Sequence, residues 1–505
     1  MAKKILVVGA GPGGLATAML LAKAGAEVLV LERSDRVGGR TSPIEAEGFR
    51  FDLGPTFFLY PQVLEGIFRA VGRDLRSEVE LIRLDPQYRI VFGAGGELLA
   101  TPDVGRLEAA VAKISAEDAR NVRRFLADNR AKFAALVPCF SRPYLSWRDT
   151  FNLQMARLVP VLEPWLSLNG HLARYFRDAR VRLAFSFQSK YLGMSPFRCP
   201  SLFSILSFLE YEYGVFHPRG GCSAVTEVMA RVARDLGVEI RLGEEVEELL
   251  VEGRRAAGAR TARGSYRADA VVVNADFARA MTRLVPNRAR RRWTDAKIAR
   301  KRFSCSTFML YLGIEGRYDH LAHHTIYISS DYRRNLEDIE LRHRLSEDPS
   351  FYVQNACATD PSLAPEGLST LYVLVPTTHQ HPNVDWEREA PRYRELVLRQ
   401  LAKVGVEDLE RRIRVERIVT PSDWERSEIY RGATFNLAHN LSQMLHLRPR
   451  NRFEDLEATY IVGGGTHPGS GLPVIFESAR IASDLIGKDL DLPEAASVHR
   501  VLETI

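Results

Sequence analysis

ILVVGAGPGG at residues 5–14, followed by VLVLERSDRVGGR at residues 28–40, describes a buried strand, a glycine turn, a helix, a second strand and a terminal acid. The apolar runs predict strands over 4–8 and 27–32, with a helix from Gly14 to Ala24 between them. Gly9 permits the tight turn, Gly11 lets backbone N–H groups approach a pyrophosphate, and Gly14 lets the helix lie close on the sheet. Glu32 ends the second strand, where a carboxylate can accept both hydroxyls of an adenosine ribose. A glycine turn alone is weak evidence. Strand, helix, strand and acid all in register make this a dinucleotide site.

The run directly behind the acid, Val37-Gly38-Gly39-Arg40, discriminates between cofactors. It resembles the extended signature of FAD proteins of the glutathione-reductase type, in their amine-oxidase branch. Two glycines bring a second loop onto the diphosphate, and Arg40 supplies a fixed positive charge beside it.

The 505 residues are 46% hydrophobic and 26% charged, the composition of a globular chain able to bury a sizeable core. Five scattered cysteines (139, 199, 222, 305 and 357) form no CxxC pair and have no histidine at ligand spacing. No metal site and no disulfide framework are expected, and a reducing compartment is. The first strand starts too early to leave room for a signal peptide, and no uninterrupted apolar run reaches the roughly 18 residues of a spanning helix. A net charge of +6 is modestly basic and concentrated at Arg288, Arg290, Arg291, Arg292, Lys297, Arg300, Lys301 and Arg302. That cluster suits a solvated helix face or an anionic membrane. Nucleic acid is not expected, since no recognition motif accompanies it.

Further along, 88–92 and 97–101 predict a hairpin around GAGG, and residues 103–213 read as helices. An amphipathic helix is expected over 223–235, strands over 238–241 and 270–274, more strands within 301–440, and a charged helix over 387–404. Residues 458–487 again read strand, glycine loop, helix, and the tail after Lys488 is expected to wander. A strand–glycine–helix unit near each end predicts one cofactor domain built from both.

Blocks spread over most of the chain resemble, in order, the bacterial phytoene desaturase family of carotenoid dehydrogenases, which includes desaturases of shorter C30 substrates. They are FDLGPT (51–56), YLSWRD (144–149), LAFSFQSKYLGMSPF (183–197), YGVFHPRGG (213–221), NAD (274–276) and VGGGTHPGSGLP (462–473). The resemblance implies an α/β fold: a Rossmann-like FAD-binding domain of glutathione-reductase type, interleaved with a mixed-sheet substrate domain and a helical, membrane-facing part. The expected division is 1–80, 215–290 and 440–490 for FAD, 81–102 and 291–439 for substrate, and 103–214 for the helical region.

It further implies that Gly9, Gly11, Gly14, Glu32, Arg33, Gly39 and Arg40 hold the adenosine and diphosphate, with Gly54, Pro55 and Thr56 also at the cofactor. Val246 would offer its backbone to the adenine edge, Gly465 and Thr466 would face the ribityl chain, and Leu472, Pro473 and Val474 would lie near the flavin ring. A helix N-terminus there can stabilise negative charge on a reduced flavin. Asp149 and Arg148 match positions associated with proton abstraction or charge stabilisation; an ion pair or a helix cap is the alternative. Phe197, Phe203, Phe208, Tyr211, Tyr213, Phe216 and Phe308 are candidate walls of a hydrocarbon tunnel, and Lys190 marks its end or a surface. SGLPVIFESAR departs from the family's usual GIPGV-type ending and leaves substrate length open.

The implied activity is FAD-dependent desaturation of phytoene, diapophytoene or a squalene-like chain, with oxygen or a quinone taking the electrons. A carotenoid oxidase, an isomerase or another amine-oxidase-family flavoenzyme remains the alternative, and a non-catalytic prenyl-lipid escort the one from another class. So apolar a substrate must come from a bilayer. The expectation is a cytoplasmic protein held peripherally on the inner membrane face through residues 151–172, with Leu158, Leu162, Trp165 and Leu166 as contacts.

Overall fold

The computed structural model describes residues 2–495. Its centre is a five-stranded parallel sheet in the order Glu239–Arg241, Glu27–Leu31, Lys4–Val8, Ala270–Val273, Thr459–Ile461. Both faces are covered, which is why these strands read as unbroken apolar runs. Ile5, Val7, Ala270 and Val272 point to one face, under helices Pro12–Lys23, Cys222–Asp235 and Leu472–Asp489. Leu6, Val8, Val271 and Val273 point to the other. There they meet helix Phe277–Leu284 and the antiparallel strands Val246–Glu252 and Arg255–Thr261, which a third strand, Gly264–Arg267, extends. The first helix starts two residues earlier than expected, at Pro12, because proline's fixed φ suits the first helical position and Gly11 serves as the cap.

A second, seven-stranded mixed sheet runs in the order Ile413–Val419, Ser306–Glu315, Leu368–Thr377, Phe351–Gln354, His324–Ile328, Tyr88–Phe92, Glu97–Ala100. The expected hairpin thus forms, and Tyr88–Phe92 docks parallel onto His324–Ile328. Helix Trp386–Leu401 covers this sheet and ends before 404, where a short 3-10 turn takes over.

Residues 103–213 are helical, including Val122–Phe140, Leu153–Leu162 and Ile205–Tyr213. The apolar stretch 158–172 breaks at Glu163, which adopts φ 43° and accepts from His171 and Arg174. Among the described residues, no helix is long and apolar enough to cross a membrane. The tail does not wander at once: the last long helix runs to Asp489, Leu492 is buried, and Glu494 N–H bonds Ala24 O at 3.3 Å.

Candidate active site

Gly9 has φ +98°, and a Cβ there would lie 2.5 Å from Asn274 O. A Cβ on Gly14 would lie 2.1 Å from Gly9 O, so only glycine lets the helix approach the strand this closely. Asn274, from the NAD block, donates its Nδ2 to Gly9 O at 3.0 Å and pins the turn. The Glu32 carboxylate accepts Ala10 N–H at 2.7 Å and Ser34 N–H at 2.9 Å. It therefore braces the glycine turn while each oxygen keeps a lone pair for a ligand.

The second loop adds Arg40, which is half-buried and donates Nη1 to Thr434 O at 2.5 Å. Burial lowers its pKa and the nearby Asp276 charge opposes that shift. Asp276 is half-buried in turn, its carboxyl pushed up by desolvation against the pull of Arg40. Two long helices begin here at glycine caps, Gly11 and Gly471, with no side chain satisfying their first N–H groups. Unpaired donors and a positive dipole end face the same space.

That space is a cavity of about 1020 Å³. Gly9, Gly11, Glu32, Arg33, Gly39, Arg40, Gly54, Pro55, Thr56, Val246, Leu472, Pro473 and Val474 all line it. Gly14, Gly465 and Thr466 are not on its wall. A Cβ on Gly465 would meet Phe277 Cβ at 2.4 Å, and Thr466 Oγ1 donates to Pro449 O at 2.6 Å, so both pack behind the wall while Gly463 and Gly464 reach it. Arg448, fully buried, fixes this loop by donating to the carbonyls of Thr466, Gly464 and Leu437.

Arg148 and Asp149 also lie off the wall. Asp149 accepts Ser146 N–H at 2.6 Å and Ser146 Oγ at 3.0 Å, a reciprocal cap on the short helix Trp147–Thr150. Arg148 is exposed over the Trp147 ring.

The far part of the cavity is walled by Phe57, Phe187, Tyr191, Leu206, Leu209, Ile326, Tyr332, Tyr352 and Phe435. None of the seven aromatics expected there belongs to it. Phe208 and Tyr211 face the helical core, Phe308 packs on Trp386 and Tyr393, and Phe197 lies under the Arg333 guanidinium. Helix Ile205–Tyr213 turns Leu206 and Leu209 to the cavity instead. Lys190 does line the cavity, 3.7 Å from the buried carboxyl of Glu340. Of the basic cluster, Arg290 is structural: it is buried and holds Val285 O, Trp293 O and Asp295.

The family profile described as flavin containing amine oxidoreductase matches residues 12–487. The chain belongs to the flavin containing amine oxidoreductases. A flavin is the cofactor of this family, and the glycine cradle, half-buried Arg40 and two uncapped helix N-termini fit the dinucleotide form, FAD. Within this family the chain is 44% identical over 489 residues to a 4,4'-diapophytoene desaturase (4,4'-diapolycopene-forming) of Methylomonas sp, covering 96% of this chain and 95% of that one. It is 43% identical over 500 residues to the all-trans-zeta-carotene desaturase of Myxococcus xanthus, covering 96% and 94%. Among solved structures, an oxidoreductase from Methanosarcina mazei shares the fold with a TM-score of 0.61 at 18% identity, over 96% of this chain and all of that one.

Proposed function

We propose that this flavin containing amine oxidoreductase is an FAD-dependent carotenoid desaturase that extends a conjugated polyene along a linear isoprenoid. One observation carries the reading: a single cavity joins a glycine-lined, donor-rich end to an apolar, aromatic one. Bound FAD would supply the hydride acceptor, taking both electrons from an allylic carbon. The chain's own part is to seat that group, keep water from the hydrocarbon and receive the remaining proton. Gly9, Gly11, Glu32, Arg33, Gly39, Arg40 and Val246 would hold the adenosine diphosphate half, and Gly54, Pro55, Thr56, Leu472, Pro473 and Val474 the flavin half. Gly14, Gly465 and Thr466 would support that wall from behind. The cap geometry supports a structural role for Asp149 and its neighbour Arg148 over a proton-transfer one. The division into an FAD part (1–80, 215–290, 440–490), a substrate part (81–102, 291–439) and a helical part (103–214) is the matching domain proposal.

Delivery from the inner face of a membrane is part of the same reading, with oxygen or a quinone as electron acceptor. Trp147, Phe151, Leu153, Val159, Val161 and Trp165 are exposed in one run of chain, joined by Leu441 and Leu447. Thr150 Oγ1 bonds His446 Nδ1 at 2.7 Å and Arg292 donates to His446 O at 2.7 Å, so the basic cluster abuts this apolar lip. Apolar side chains flanked by arginines suit an anionic bilayer.

Relatives named for different isoprenoids set the arms of the substrate test. Co-expression with a phytoene source, a zeta-carotene source and a dehydrosqualene source should lengthen the polyene in at least one strain, the spectrum reporting the number of double bonds. Purified protein without flavin absorbance, or no change of pigment in all three strains, would overturn the reading.

A further inference from the structure

Beside the apolar end of the cavity lies a pair of buried histidines that seating a flavin does not require. Thr56 Oγ1 and the Tyr352 hydroxyl, both on the cavity wall, are 2.8 Å apart, and Tyr352 OH lies 2.7 Å from His324 Nδ1. The His324 ring is held flat by Phe57, stacked on it at 4.0 Å. Among the described residues its other nitrogen, Nε2, has no hydrogen-bond partner, although the residue is wholly buried. His323 stands edge-on to His324 at 4.4 Å between ring centres, and its own nitrogens are taken by Thr359 Oγ1 at 2.8 Å and Gln354 Nε2 at 3.2 Å, so it backs His324 without bonding it.

An orphaned imidazole nitrogen beside the cavity is costly to the fold, and is retained where the ring serves another purpose. Burial holds His324 well below the usual imidazole range, so it stands neutral at rest, holds a transferred proton only briefly and gives it back readily.

Resting on the desaturase reading, we propose that Tyr352 receives the proton lost in desaturation and relays its own phenol proton to His324. Once the hydride has left with its electron pair, the neighbouring C–H bond breaks and its two electrons become the new π bond. The freed proton passes to the Tyr352 oxygen as the phenol proton moves to His324 Nδ1. The extra proton on His324 returns through Tyr352 to water that enters the cavity once the product has left, which restores the neutral Nε2–H imidazole. His324 acts through Tyr352 and is a positioning residue.

The test is anaerobic flavin bleaching by substrate in liposomes, with Tyr352→Phe and His324→Gln, each first checked for unchanged flavin absorbance and Tm. Both variants should bleach about a hundredfold more slowly at unchanged KM. The deuterium isotope effect at the proton-losing carbon should rise, which a merely structural residue would not cause. Wild-type rates with an unchanged isotope effect in Tyr352→Phe would overturn the relay. A second readout needs no turnover. In ¹⁵N-histidine NMR the resonance lost in His324→Gln should be the Nε2–H tautomer, and it should relax in Tyr352→Phe; an Nδ1–H tautomer sinks the relay. A wild type that no isoprenoid bleaches fails the desaturase reading instead, and the tautomer still decides the relay.

Discussion

Glu210 sits wholly buried on helix Ile205–Tyr213, accepting the Tyr88 hydroxyl at 2.9 Å and Gln188 Nε2 at 3.0 Å. Burial pushes its carboxyl up to about 7 from 4.5, against the pull of Gln188, Tyr191 and Tyr88. The folded protein therefore keeps a proton that the unfolded chain releases. That contribution to stability is present below pH 4.5 and is lost as pH rises to about 7. Its size is on the order of 3 kcal/mol. Buried neutral histidines titrate in the opposite sense, so the difference between wild type and Glu210→Gln isolates it. Denaturant titrations at pH 5 and pH 8 should show the wild type losing stability relative to the variant; parallel curves would refute the assignment. Gly14→Ala forces a methyl against Gly9 O and should cost at least about 1–3 kcal/mol together with most of the flavin absorbance. Gly14 was legible because spacing alone demands it. Glu210 was not: in SFLEYEYG both acids look equally exposed, and the inward one is chosen by Tyr88, a partner from a distant strand.

Helix Leu153–Leu162 and its flanks show how phase escapes a sequence that is apolar on every side. Residues 151–172 are the stretch expected to meet lipid, yet Leu158 and Leu162, four apart, turn inward to the helical core. Phe151 at 69%, Leu153 at 68% and Trp165 at 65% exposure turn out, next to Trp147 from the preceding turn. The same ambiguity hid the cavity wall, where Leu206 and Leu209 replace Phe208 and Tyr211. With Trp147, Phe151, Leu153 and Trp165 changed to Ser, the protein should keep its Tm and stop floating with anionic liposomes. Leu158→Ala should float normally but melt early, at a cost of about 2–5 kcal/mol. Unaltered flotation of the quadruple variant would remove the lip.

The parallel sheet draws strands from residues 4–8, 27–31, 239–241, 270–273 and 459–461, and the cavity walls follow the same path. Both glycine units were legible because each carries its own strand–turn–helix punctuation. The second sheet was less so: hairpin Tyr88–Ala100 looks self-contained, and nothing local says that it pairs parallel to His324–Ile328. A chain ending at Glu457 loses an edge strand and the helix capped at Gly471, and should be digested throughout by limited proteolysis; a compact core surviving without flavin would contradict this. The topology also sets a timetable for biogenesis. At about 5–20 residues per second, a ribosome needs on the order of half a minute or more before Gly471 is synthesised. Until then the nascent polypeptide carries an unfinished cleft. Capture of the coenzyme must therefore follow translation, and its cellular supply sets how long newly made molecules wait in that vulnerable interval.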